Sequence, residues 1–211
     1  MLNKLKILLI FIAAACFTYN QTREVKLGSG IFAPESPKQA LIENPESFVI
    51  KKQRVTPLAD FEITAKVLSK RSYYFGRETN LSPIDFALGW GRMSDEDVIK
   101  SISFSQSRRW LHWRSEKYPI PQKEVNDHCA NMHILPSSRK IKRAIKRARV
   151  GDIIYIKGYL VKVAGSNGSE WKSSLSRTDS GDHACEVIWV KQFEILKEIH
   201  PVLSSSSGLS P

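Results

Sequence analysis

The chain has 211 residues, 42% hydrophobic and 25% charged, with a net charge of +11 and a pI near 9.6. Such a composition suits one globular domain with a real core plus ends, and excludes a wholly disordered chain. The basic excess favours polyanions such as nucleic acid, acidic glycans or an anionic bilayer, and says nothing about fold.

"MLNKLKILLIFIAAACFTYN" places Lys4 and Lys6 before an apolar run from Ile7 to Phe17. A short basic start and such a run form the pattern of an export signal. Ala13, Ala14 and Ala15 can supply a cleavage site, and Cys16 after them suggests a weaker lipoprotein site. As an uncleaved anchor the run is short of the ~20 residues that span a bilayer, although flanking lysines can snorkel. Residues 1–19 therefore read as a signal peptide or N-terminal membrane anchor. The domain is then expected outside the cytoplasm, either single-pass in an inner membrane or periplasmic or secreted after cleavage.

Residues 20–56 read as a flexible tether, with Pro34, Pro37, Pro45 and Pro57 breaking any long element and a short strand at 48–52. Residues 57–200 read as a β-rich domain. From Asp60, residues Phe61, Ile63, Ala65 and Val67 alternate with Glu62, Thr64, Lys66 and Leu68 as in a half-buried strand. "GWG" at 89–91 lets the backbone turn around Trp90, either as a core plug or as an exposed platform. Ser94 is the expected N-cap of a helix over 95–103, with acids in its first turn. Asp85, Asp95 and Asp97 are conceivable catalytic carboxylates, but the last two are better explained as helix N-terminal acids. "RRWLHWR" at 108–114 reads as a strand. Its Trp110 and Trp113, interleaved with Arg108, Arg109 and Arg114, form stacking platforms for single-stranded nucleic acid or ordinary core.

"SSRKIKRAIKRARVGD" holds Arg139, Lys140, Lys142, Arg143, Lys146, Arg147 and Arg149. Without Lys4 and Lys6 the chain's excess is +9, so these seven carry most of it. Ile141, Ala144, Ile145 and Ala148 fall within one arc of about 100°. The segment is thus an amphipathic helix capped by Ser137 or Ser138. Its basic side is the candidate surface for an envelope protein or a polyanion, nucleic acid included. Strands are expected at 152–163, with a bend, bulge or close approach at Gly158, then at 170–177 and 184–196 in a meander. The segment 201–211 reads as a disordered tail. This order predicts a mainly β (α+β) fold: a small, partly open, OB-like β-barrel with one packing amphipathic helix. A mixed α+β sheet is the alternative.

His128, Cys129, His133, His183 and Cys185 cluster in "DHCANMH" and "DHACE". They offer four readings: a Cys129–Cys185 disulfide, buried thiols, a zinc site whose spacing fits no standard framework, or Cys–His catalysis. "SSLSR" with Asp179 and His183 invites a Ser/His/Asp reading but has no nucleophile elbow. "SPIDFALGWGRMSD", "ANMHILP" and "SSLSRTDSGDHACEVIWV" together resemble a group of exported or membrane-anchored bacterial proteins of unassigned function. That resemblance covers residues 60–190 and implies export, with no residue role to carry over. The expected function is a non-enzymatic binding module of the envelope, with a nucleic-acid-binding barrel or a metal-dependent hydrolase as alternatives.

Overall fold

The structure is a computed structural model, and it describes Lys6 and residues 23–76, 78–165, 168–176 and 185–202. The N-terminal apolar run, Arg77, residues 166–167 and 177–184, and the tail from 203 lie outside the described residues.

Among the described residues ten strands and three α-helices follow in order. β1 (Lys38–Leu41) and β2 (Phe48–Ile50) precede β3 (Gln53–Ser72), and β4 (Ile84–Gly89) leads to α1 (Glu96–Ile99). β5 (Ile102–Ser107) and β6 (Trp110–Ser115) form a hairpin, followed by α2 (Gln122–Asp127) and β7 (Cys129–Pro136). α3 (Arg139–Arg147), β8 (Ile153–Ala164), β9 (Glu170–Lys172) and β10 (Glu186–Leu196) complete the chain.

Five strands run in a partly closed ring, β3–β4–β7–β10–β8, and β8 pairs back to β3. The β7–β10 pair is parallel and the other four are antiparallel. This partly ring-like sheet is consistent with the expected small, mainly β domain, and α3 lies between β7 and β8 in the chain. The last strand does not close a simple meander, because β10 lies between β7 and β8.

Within the ring, the 20 residues of β3 serve two neighbours. Residues 54–66 pair with β8 and residues 66–72 with β4, so the strand changes partner at Lys66. Irregularities between Pro57 and Ala59 and between Val67 and Ser69 bend it. Pro57, expected to break the element, instead sits at the first of these, where a missing ladder N–H is tolerated. Gly158 fulfils its expectation: a Cβ there would lie 2.0 Å from Trp189 O, next to the bulge of β10 at Val190 and Gln192.

Phe61, Ile63, Ala65 and Val67 point into the core with Phe86, Leu88, Ile134, Ile156 and Ile188. α3 closes one side of it. Ser138 Oγ accepts from Ile141 N, so Ser138 is the cap, and Ile145 and Ala148 are buried with Ile141 and Ala144 packed beside them.

Two expectations change. The 95–103 helix shrinks to four residues capped by Asp95, whose side chain accepts from Asp97 N. Ser94 Oγ instead accepts from Phe32 N and Ala33 N at 3.1 and 3.0 Å. Those bonds belong to the segment read as a tether, which in its described part lies along the barrel. Val25 N donates to Val150 O, and Ile31 and Val202 exchange backbone bonds. Phe32 and Ala33 are buried, while β1 and β2 pair with β3.

Candidate functional site

The strap formed by residues 23–33 fastens where β4 ends and β8 begins. The opposite end, where β4 begins and β8 ends, carries the candidate site. Three elements meet there: the 73–83 loop, the tip of the β5–β6 hairpin, and the turn leading through β9.

The hairpin tip consists of Arg108 and Arg109, with φ of 50° and 72°. A two-residue hairpin loop of this kind matches the strand twist but needs positive φ at both positions, where glycine or asparagine is usual. An arginine held there costs of order 1–3 kcal/mol unless its surroundings fix it. They do. Arg109 Nη1 donates to Asp85 Oδ1 at 2.6 Å and Nη2 to Ser82 O at 2.9 Å. Its guanidinium lies 3.8 Å from the Tyr73 ring centre. The β2–β3 hairpin repeats the device with Lys51 and Lys52, φ 48° and 67°, and Lys51 Nζ donates to Asn80 O at 2.5 Å. Two strained basic turns therefore clamp the same 73–83 loop.

Beneath Arg109 lies a polar floor. Asp85 is fully buried and His133 is nearly so. His133 Nδ1 stands 3.0 Å from Asp85 Oδ2, at ion-pair distance but off the angle of a hydrogen bond. Its ring packs 4.8 Å from Trp171. Burial first, then the Asp85 charge, pushes the Tyr73 phenol up to about 12. Asn131 Nδ2 donates to Arg109 O at 2.7 Å, and Gln106 Nε2 donates to Asn131 Oδ1 at 2.6 Å. A cleft of about 460 Å³ opens above this floor, lined by Arg108, Arg109, Trp171, Glu78, Glu170 and Leu81 among others. An indole wall with a few fixed polar groups of both signs is the make-up of a ligand pocket.

The expected site residues divide. Arg109 is in the cleft. Trp90 is 2% exposed and plugs the core, so it offers no stacking face. Trp113 packs edge-on against Tyr118 and donates from Nε1 to Asn126 Oδ1. Trp110 is half-buried at the start of β6. Among the seven basic residues of 139–149, Arg149 pairs with Asp152 at 3.7 Å. The nine ion pairs of the described residues leave the other six out.

The disulfide expectation is corrected: Cys129 and Cys185 do not lie within disulfide distance of one another. Cys185 Sγ faces Asn131 Nδ2 and Arg109 O, each at 3.9 Å, so it lies beside Asn131, two residues beyond Cys129 on β7. Burial pushes the Cys129 thiol up to about 12, with Glu186 adding to it, which removes the thiolate that nucleophilic catalysis needs. His128 Nδ1 lies 3.0 Å from Glu124 O, and its ring packs on Trp90 and Gly91. Its neighbours are thus not those of His133. Among the described residues no group of three His, Cys, Asp or Glu could hold a metal ion. His183 and Asp179 lie outside them. A Ser107 Oγ and His112 Nε2 contact of 3.0 Å is exposed on the hairpin.

Sequence reasoning missed Tyr73, Tyr74 and Phe75. The signal was present: "RSYYFGR" interleaves aromatics with arginines, as "RRWLHWR" does. No family model, curated protein or solved structure matches this chain.

Proposed function

We propose that the chain is a non-enzymatic binding module of the bacterial envelope, tethered by its N-terminal segment and holding its ligand in the loop-end cleft. One observation carries this reading: strap and cleft occupy opposite ends of one barrel. The strap starts the domain at Val25, beside Val150, so a tether before it leaves the Trp171 cleft turned away. Arg109 and Asp85 neutralise each other and act as a rigid floor, while Trp171 and Arg108 are the groups a ligand meets. An OB-like barrel uses these same loops for oligomeric ligands.

The test is calorimetric titration of the full-length chain, in detergent micelles, with an uncharged chito-oligosaccharide, which the lysines outside the cleft do not attract. One stoichiometric ligand, left chemically intact and lost in Trp171→Ala, is expected. Turnover of a probe, or binding that survives both Trp171→Ala and Arg108→Ala, overturns the reading.

A further inference from the structure

A second concavity lies on the other side of the 73–83 loop, against the basic helix. Its volume is about 380 Å³, and Lys51, Lys70, Lys142, Lys146, Tyr73 and Tyr74 help to line it. Among the described residues no carboxylate lines it, whereas Glu78 and Glu170 line the cleft. We propose that this lysine groove, with the exposed ring of Tyr74 in its wall and that of Phe75 next in the chain, binds single-stranded nucleic acid.

Lys142 and Lys146 are four residues apart on α3 and so share one face. Neither takes part in an ion pair among the described residues. Lys70 Nζ donates to Lys146 O and Ala148 O at 2.8 and 2.7 Å, which satisfies the helix end and fixes the ammonium at the groove wall. Lys51 is fixed from the opposite side by Asn80 O. Burial lowers the Lys70 pKa, Asp152 offsets part of this, and the nearby Lys146 charge lowers it further. An anion in the groove would relieve that repulsion.

Tyr74 is 81% exposed and Phe75 92%. Thr79 Oγ1 donates to Phe75 O at 2.7 Å and so holds the backbone that carries them. Phosphates along lysines and bases on aromatic faces are the two halves of single-strand recognition. A stacked duplex offers the rings no base face. Two aromatic tips beside a polar groove also fall short of the continuous apolar face that an interfacial membrane element presents.

The test is titration of the full-length chain, in detergent micelles, with a labelled oligothymidylate of about 20 nucleotides. A slope of roughly 0.7 per phosphate and four contacts predict about a 50-fold loss of affinity from about 50 to 200 mM salt. Lys142→Glu with Lys146→Glu should weaken binding at least tenfold and flatten that slope. Tyr74→Ala with Phe75→Ala should weaken it by about fivefold or more and leave the slope intact. Far-ultraviolet circular dichroism confirms that each variant folds. If the charge variant does not fold, the aromatic variant decides alone, since its side chains support nothing. Unchanged affinity in the variants, a flat salt response, or duplex bound as tightly as single strand overturns the proposal. So does binding to phosphatidylglycerol vesicles through these residues with no oligonucleotide bound. The groove variants leave Trp171 and Arg108 in place, so this proposal and the cleft reading fail separately.

Discussion

The two ends of the barrel solve opposite problems with similar residues. At the strap end charge is buried and paired. Lys66 is 1% exposed at its side chain and lies 2.6 Å from Glu96 Oε1, with its ammonium 5.6 Å from the Phe32 ring centre. Leu27 N reaches the same Glu96 oxygen, and Gly30 N reaches Asp95 Oδ1. Glu96 and Asp95 thus secure the backbone of the strap. At the loop end Arg109 is paired with Asp85, whereas among the described residues Arg108, Lys142 and Lys146 take part in no ion pair. The contrast teaches that the net charge of this chain is not one property. Paired charge fastens the strap, and lysines outside any ion pair of the described residues collect on α3 beside the 73–83 loop.

Breaking the strap end should have the largest effect. Glu96→Ala leaves the Lys66 ammonium buried without its partner, and such a loss costs about 3–5 kcal/mol. Urea denaturation should show it, and Lys66→Met should cost clearly less, because Glu96 can turn to water. At the loop end Asp85→Ala is the matching break. It deprives Arg109 and His133 of one carboxylate and should cost about 3 kcal/mol in the same assay.

Ser94→Ala removes the acceptor of two strap amides and should cost about 1–3 kcal/mol. Faster proteolysis within residues 23–33 should accompany it. Gly151→Ala tests the same contact independently, since a Cβ at φ 88° would lie 1.8 Å from Val25 O.

Alkaline pH sharpens the comparison further. Tyr73 and Cys129 both keep their protons to about 12 in the folded chain. In the unfolded chain they ionise near 10 and 9. Unfolding then releases protons, so stability is full below about pH 9 and falls as pH rises towards 12. The urea midpoint should follow that course, and Cys129→Val should flatten its lower part. The smallest effect belongs to the outer helix face: Arg139→Ala or Lys140→Ala should shift stability by under about 0.5 kcal/mol.

Much of the barrel was legible in residue order. The alternation of β3, the stripe of α3 and the glycine of β8 are local patterns, and each has one good solution. The misreadings share a cause. β4 and β7 are buried on both faces, so they lack alternation, and "DHCANMH" drew attention as chemistry rather than as a strand. The strap was read as a tether because prolines and glycines look alike whether a segment hangs free or lies pinned. The 170–177 strand stops at Lys172 because Ser173 turns away to hold Val187 N with its hydroxyl.

The sequence by itself determined the mainly β composition, the amphipathic helix and the concentration of positive charge at 139–149. Periodicity and net charge are properties of neighbours along the chain. Only the tertiary structure decided that Cys129 and Cys185 stay apart, that Trp90 is core while Tyr74 and Phe75 are exposed, and that Arg109 meets Asp85 and His133. Those outcomes depend on strand register and on which loops share an end of the barrel. Both are fixed by contacts between residues far apart in the chain.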